Sequence, residues 1–273
     1  MWDSTSSEPL LIRRIGPDLE KAPGLVAERG STLGVPMHLL ASTTSTNDEA
    51  KHAAKDGAPS GSTWVTEQQT AGRGRQGRAW VSPRGENLLF SVLVRVTCPP
   101  SRLPPIALAA GLAVRDALAL AAPDAAPTIK WPNDVLIDGK KVAGVLVEAV
   151  TAGSRVQAVI IGAGINVHTR DFPAELADRA TSLALASRLP PDRAALLADV
   201  LACLDRDLHI VVARGLGLLR VRLENADALR SRRVRSDTGD EGMATGIDDD
   251  GRLLVRRDDG VIARWSAGEV HLV

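Results

Sequence analysis

The chain has 273 residues, and its 33 lysines and arginines balance 33 aspartates and glutamates, so the formal net charge at pH 7 is +0. A charge-balanced chain is not a bulk binder of polyanions, so any phosphate or nucleic-acid contact must be local. With 44% apolar and 24% charged residues the composition excludes disorder, and the length suffices for one large domain and a small one.

Residues 1–36 are turn-rich, with Pro9, Pro17, Pro23 and Pro36, and leave space for one short helix near Asp18–Arg29. They are too short for a helix-turn-helix unit with a supporting helix. Met37–Ala41 reads as a strand. Ser45-Thr46-Asn47 then supplies capping side chains for a helix to about Asp56. Thr63–Glu67 is a β-branched strand, Leu88–Val96 a strongly apolar one, and Pro105–Ala121 a long Ala/Leu helix stopped by Pro123. Thr128–Trp131 is a short strand. Val135–Ile137 and Val142–Ala149 flank Asp138-Gly139, a dipeptide that favours a type I′ hairpin turn. Val156–Val167 is a further strand. Leu196, Val200, Leu204, Leu208 and Val211 recur at helical spacing within Asp192–Ala213, and a second helical stretch covers about Leu216–Leu229. From Ser231, short strands separated by Asp/Gly clusters read as a small SH3-like β module. The expected fold is α+β, with an extension at 1–36, a catalytic domain at 37–229 and a β domain at 230–273.

Cys98 and Cys203 are far apart with no CxxC spacing, and the N-terminus has no leader pattern. No stretch is expected to reach the roughly 18–20 apolar residues of a membrane span. The protein is expected to be soluble and cytoplasmic.

Gly72-Arg73-Gly74-Arg75-Gln76-Gly77-Arg78 suits neither helix nor strand. Glycines allow close backbone approach and guanidinium forks pair with phosphate or carboxylate, yet a solvated basic loop explains the run equally well. Other segments shift the balance. Ser45-Thr46-Asn47 sits at a helix N-terminus, where a carboxylate or ureido group can be held, although plain capping accounts for it too. In Lys130-Trp131-Pro132-Asn133-Asp134 the proline breaks the strand and can aim Asn133 and Asp134 toward a metal or phosphate. Lys141 enters the apolar run that ends at Glu148. Gly162-Ala163-Gly164-Ile165-Asn166 lacks the third glycine of a dinucleotide loop. Arg73, Arg75, Lys130 and Lys141 with Asp134 make the inventory that phosphoryl or nucleotidyl transfer needs.

These ordered motifs, with Gln69-Thr70-Ala71 leading into the arginine loop and Ala79-Trp80 leaving it, resemble those of biotin protein ligases. The resemblance runs from about Met37 to the C-terminus. It implies a class II synthetase-like, biotin–lipoyl ligase catalytic domain with a mixed sheet and flanking helices, plus an SH3-like C-terminal domain. It implies activation of biotin as biotinoyl-5′-AMP, then transfer to a lysine of a biotin carboxyl carrier protein, with ATP and Mg²⁺ required and no permanently bound cofactor. Ser45, Thr46, Asn47, Gln69, Arg73, Gly74, Arg75 and Lys141 match biotin-side positions. Arg75, Arg78, Trp80, Lys130, Asn133 and Asn166 match the ATP and adenylate side, with Trp80 expected on adenine. Lys141, Arg75 and Asp134 are the expected catalytic residues, Asp134 as a Mg²⁺ ligand or as a base for the incoming lysine. The loop is expected to be mobile without ligand and ordered with it. The short N-terminal segment implies a ligase that binds no DNA and no membrane. A lipoate–protein ligase shares this fold and chemistry but shows an Arg-Arg-x-x-Gly-Gly-Gly pattern in place of the loop. A nucleic-acid-binding regulator is the rival outside enzymes.

Overall fold

A computed structural model describes residues 15–273. Pro9 of the N-terminal extension therefore lies outside the described residues. A 3₁₀ turn at Leu19–Lys21 leads into helix α1 (Ala22–Glu28), where the sequence expects its short helix. This segment is no free extension: Leu19, Ala22, Val26 and Leu33 belong to the main core.

The larger part is a seven-stranded mixed sheet in the order β1-β2-β3-β7-β6-β5-β4. Its strands are β1 (Met37–Leu40), β2 (Thr63–Thr66), β3 (Leu88–Cys98), β4 (Thr128–Lys130), β5 (Asp134–Ile137), β6 (Lys140–Ala152) and β7 (Arg155–Ile165). Only the β1–β2 pair is parallel. The Asp138-Gly139 hairpin forms as its chemistry predicts, with φ of 50° and 77° at the two central residues.

Helix α2 (Thr46–Lys55) follows Ser45, which is extended at φ −161°, and carries Asp48 and Glu49 in its first turn, where the helix dipole favours negative charge. Its Ala50 and Ala54 pack with Trp64, Leu93 and Ile160 in a small second core. Across the sheet lie α3 (Leu103–Ala121) and α5 (Arg193–Arg214). Two adjacent prolines begin α3, whereas Asp192 caps α5 by accepting from the Ala194 and Ala195 amides.

The segment Pro100–Ala121 corrects one expectation, because by length and composition it could cross a membrane; 61% of its most apolar stretch is buried. Its apolarity has a packing cause: small residues such as Ala109, Ala110 and Ala113 are fully covered in the main core.

After a short α4 (Leu183–Ala186) and α5, a 3₁₀ turn at Leu216–Leu219 precedes α6 (Arg220–Ala226). The expected second helix is thus shorter, and broken at its start. The C-terminal strands β8 (Arg233–Ser236), β9 (Glu241–Ile247), β10 (Leu253–Arg256), β11 (Ile262–Trp265) and β12 (Val270–Leu272) form an antiparallel sheet, ordered β11-β10-β9-β8-β12. Its Val234, Ala244, Leu253 and Val255 join the main core. The Trp131 indole N–H donates to the Gly251 carbonyl at 2.9 Å, a buried tie between the two sheets.

Candidate active site

The site is built on a bare patch of sheet. Gly144 of β6 pairs with Gly164 of β7, and Gly162 of β7 pairs with Leu146 of β6 and Ser91 of β3. Residues two apart on a strand share a face, so these glycines expose backbone on one side. A Cβ on Gly164 would overlap the Trp80 indole, and one on Gly162 would overlap the Asn47 amide. Gly162-Ala163-Gly164 is therefore an interior strand segment that makes a flat floor, not a failed nucleotide loop. Its period-two glycine spacing was the available signal.

The N-terminal turn of α2 walls this floor. Gln69 Oε1 accepts from the Thr46 backbone N–H at 2.8 Å and from its hydroxyl at 3.1 Å. The Ser91 hydroxyl lies 2.7 Å from Thr46 Oγ1 and 2.5 Å from Asn47 Oδ1. Asn47 Nδ2 donates to Glu148 Oε2 at 2.6 Å. Both ends of the Asn47 amide are thus bonded within the protein, while Ser45 makes no side-chain cap bond. The fold brings Thr46, Asn47 and Gln69 together as the sequence groups them, with Ser91 and Glu148 beside them, which the sequence reading does not single out. A carboxylate closing the apolar run Val145–Val147 was the visible clue.

The arginine loop is a small hairpin. The Gly74 N–H donates to the Arg78 carbonyl at 2.7 Å, the Trp80 N–H to the Gly72 carbonyl at 2.9 Å, and Arg73 bridges Ala79. Gln76 and Gly77 turn its tip with φ of 54° and 74°. Gly72 lies so close to the returning strand that a Cβ would come within 2.5 Å of the Trp80 carbonyl oxygen. Gly74, assigned to the biotin side, thus spends its amide on the hairpin.

The loop side chains reach three different places. Arg73 pairs with Asp48 at 2.5 Å and Glu148 at 3.4 Å. Arg75 donates to Asn133 Oδ1 at 3.0 Å, while Arg78 pairs with Glu269 of the C-terminal sheet. Burial pulls the Arg75 guanidinium below its ordinary value, with neighbouring Asp134 opposing this and Arg78 adding to it.

Trp80, expected on adenine, packs against the sheet at Gly144 and Gly164. Its indole lies on the Gly144–Gly164 floor, 5.4 Å from Lys141 Nζ, and its buried Nε1 has no hydrogen-bond partner among the described residues. Lys141 Nζ is 2.6 Å from Asp134 Oδ1. Lys130 faces Asp134, Lys141 and Arg78, and burial is the main cause lowering its ammonium below the usual lysine value. Asn133 is fixed from its other end by donating to the Val145 carbonyl at 2.7 Å. Beside it, a cavity of about 150 Å³ opens between the sheets, with Trp131, Pro132, Val147 and Gly251 in its wall and Arg75 and Ser266 at its polar edge. Asn166 stands apart: its Nδ2 donates to the Thr181 carbonyl at 3.0 Å, clamping the end of β7 to the following loop.

Below the floor, the buried Arg193 holds both ends of the site's scaffold. Its guanidinium donates to Glu67 at 2.6 and 3.1 Å, to Asp18 at 2.8 Å through two nitrogens, and to the Asn87 carbonyl at 3.2 Å. Glu67 also accepts from the Gly16 N–H at 2.6 Å.

A glycine floor beside a helix N-terminus, with lysines and arginines converging on an adjoining cleft, suits a ligase that activates a carboxylic acid with a nucleotide. Residues 39–166 match the biotin/lipoate A/B protein ligase family, and residues 233–273 the biotin protein ligase C-terminal domain. The bifunctional ligase/repressor BirA of Bacillus spizizenii is 35% identical over 94% of this chain and 82% of its own length. The biotin–[acetyl-CoA-carboxylase] ligase of Mycobacterium tuberculosis is 35% identical over 86% of this chain and 89% of its own. A structure of the Aquifex aeolicus biotin protein ligase with biotin and ATP superposes with a TM-score of 0.75 at 30% identity, covering 87% of this chain and 98% of that one. The chain therefore belongs to the biotin/lipoate A/B protein ligase family, among its biotin protein ligases.

Proposed function

We propose that this protein joins biotin to a carrier-protein lysine in two steps at the expense of ATP. A biotin carboxylate oxygen attacks the α-phosphorus of ATP, and pyrophosphate leaves. The acceptor lysine's neutral ε-amine then attacks the acyl carbonyl, AMP leaves with the electron pair of the broken C–O bond, and the amine gives up a proton. The observation that carries the proposal is the convergence of Lys141, Lys130 and Arg75 around Asp134 and Asn133, next to the glycine floor.

Adenylation brings two anions together, so their repulsion must be offset before attack. Lys141 sits between the floor and the cleft, where its ammonium meets both the acid's carboxylate and the α-phosphate. Biotin's bicyclic ring lies beside the floor that Trp80 and Asn47 cover, and the α2 N-terminus with Ser45, Thr46 and Gln69 meets its polar edge. The purine takes the apolar cleft at Trp131 and Val147, with Arg75 over the phosphates. Arg73, Arg78 and the loop glycines cover the adenylate and exclude water.

Among the described residues no three or more His, Cys, Asp or Glu side chains gather as a metal cluster. Asp134 offers a single carboxylate, which fits Mg²⁺ carried mainly by ATP phosphates. When bound, that ion screens the departing pyrophosphate. The acceptor is the carboxyl-carrier domain of a biotin-dependent carboxylase. The two free buried cysteines suit a reducing cytoplasm.

The test is pyrophosphate exchange with biotin or lipoate as the acid, followed by mass measurement of a biotin carboxyl carrier domain. Biotin-dependent exchange and a biotinyl mass increase are expected. Exchange with lipoate and none with biotin would overturn the reading.

A further inference from the structure

Glu148 has no part in the two steps above, yet three elements of the site converge on it. It stands in β6 opposite Ile160 of β7, half-buried at the end of an apolar run. Its Oε2 accepts from Asn47 Nδ2 at 2.6 Å and from Arg73 Nη2 at 3.4 Å, and its Oε1 pairs with Lys51 of α2. Burial alone would push this carboxyl up, but its bonds to Lys51 and Asn47 hold it below the usual range.

An ionised carboxylate only accepts hydrogen bonds, so Glu148 dictates which end of the Asn47 amide faces it. Oδ1 then points at Ser91, whose one hydroxyl proton it takes at 2.5 Å. The Thr46 hydroxyl, 2.7 Å from Ser91 Oγ and 3.1 Å from Gln69 Oε1, is ordered in turn. The Asn47 amide packs against Gly162, where a side chain would leave it no space.

We infer that Glu148 is a positioning residue for the acid-binding half of the site: it orients the Asn47 amide, through Ser91 the Thr46 hydroxyl, and it tethers Arg73 beside the floor. The inference rests on the proposed function and moves Asn47 from ligand contact to relay.

The test swaps donor and acceptor. In N47D two carboxylates oppose each other, and in N47D/E148Q the new amide donates to the new carboxylate. Pyrophosphate exchange is measured with biotin and ATP varied separately, beside thermal unfolding. N47D is expected to raise the biotin KM about tenfold or more with ATP KM within about twofold, and the double variant to return it to within about threefold of wild type. A wild-type biotin KM in N47D, or a double variant no better than N47D, overturns the inference. Should N47D fail to fold, E148Q decides alone. It keeps an acceptor for Asn47 but loses the charge holding Arg73 and Lys51. Its biotin KM is expected to rise about threefold or more at constant ATP KM; no rise overturns the inference. Wild-type protein that does not adenylate biotin in this assay fails the functional proposal, whereas active wild type with unshifted variants fails only the role of Glu148.

Discussion

Replacing Arg193 by Met tests whether the scaffold under the site depends on one buried cation. Arg193 is 3% exposed and Glu67 4%, so the substitution leaves the Glu67 carboxylate out of reach of solvent, without its cation and with the Gly16 N–H still donating to it. The Asp18 side chain keeps 29% of its surface and water can serve it, so most of the cost belongs to Glu67. Breaking a buried pair this way costs about 3–5 kcal/mol. For a chain of this size that corresponds to a drop in Tm on the order of 6–20 °C. The pH dependence has a definite sign. Arg193 holds the Asp18 carboxyl below its ordinary value against the opposing effect of burial. That contribution to wild-type stability is present above the unfolded carboxyl value and is lost as pH falls through the folded one. The stability gap between the two proteins should therefore hold from pH 7 to about pH 5 and narrow as pH falls below about 4 in urea unfolding. A gap below about 1 kcal/mol at pH 7, or one unchanged at about pH 3, would refute the reasoning.

The remaining predictions concern the site itself. Lys141→Ala should abolish the pyrophosphate burst while leaving Tm within about 2 °C, since the ammonium is partly exposed beside Asp134; an unchanged burst rules out its role. Arg75→Gly should speed the appearance of free biotinoyl-AMP in solution, because Lys141 remains to form it. If synthesis stops and nothing leaks, Arg75 does not act as a cover. Trp131→Phe leaves the Gly251 carbonyl without its donor, at a cost of about 1–3 kcal/mol in urea unfolding and a higher ATP KM. Unchanged stability would show that the indole bond does not hold the two sheets together.

Local chemistry made much of the fold legible. Asp138-Gly139 permits left-handed backbone at both positions, Asp192 caps the helix that follows it, and a 22-residue α5 shows its buried stripe through Leu196, Val200 and Leu204. The failures share a physical cause. Residues 215–219 after α5 are only glycine and leucine, so their spacing does not reveal that Leu216–Leu219 winds as a 3₁₀ turn. The pairing of Arg75 with Asn133 spans 58 positions and that of Arg78 with Glu269 spans 191, distances over which no periodicity speaks. The resemblance names residues that the fold largely brings together, but their side-chain directions could not be read from the sequence. Asn47 spends its amide on Glu148 and Ser91, Asn166 on Thr181, and Trp80 lies on the floor.

The arrangement of charges gives the site a kind of selectivity that a bare basic patch lacks. Arg73 rests on Asp48 and Glu148, Lys141 on Asp134, and Arg78 on Glu269. An arriving anion must therefore trade places with a resident carboxylate, and it gains only the difference between two ion pairs. A stray phosphate or nucleic-acid strand, matching one or two of these cations, has little to gain by the exchange. An acid and a triphosphate arriving together can replace several partners at once, and each carboxylate so released becomes an oxygen ligand free for a cation. Saturation with both substrates should thus depend more steeply on their joint presence, and less on bulk salt, than the loop's arginine content suggests.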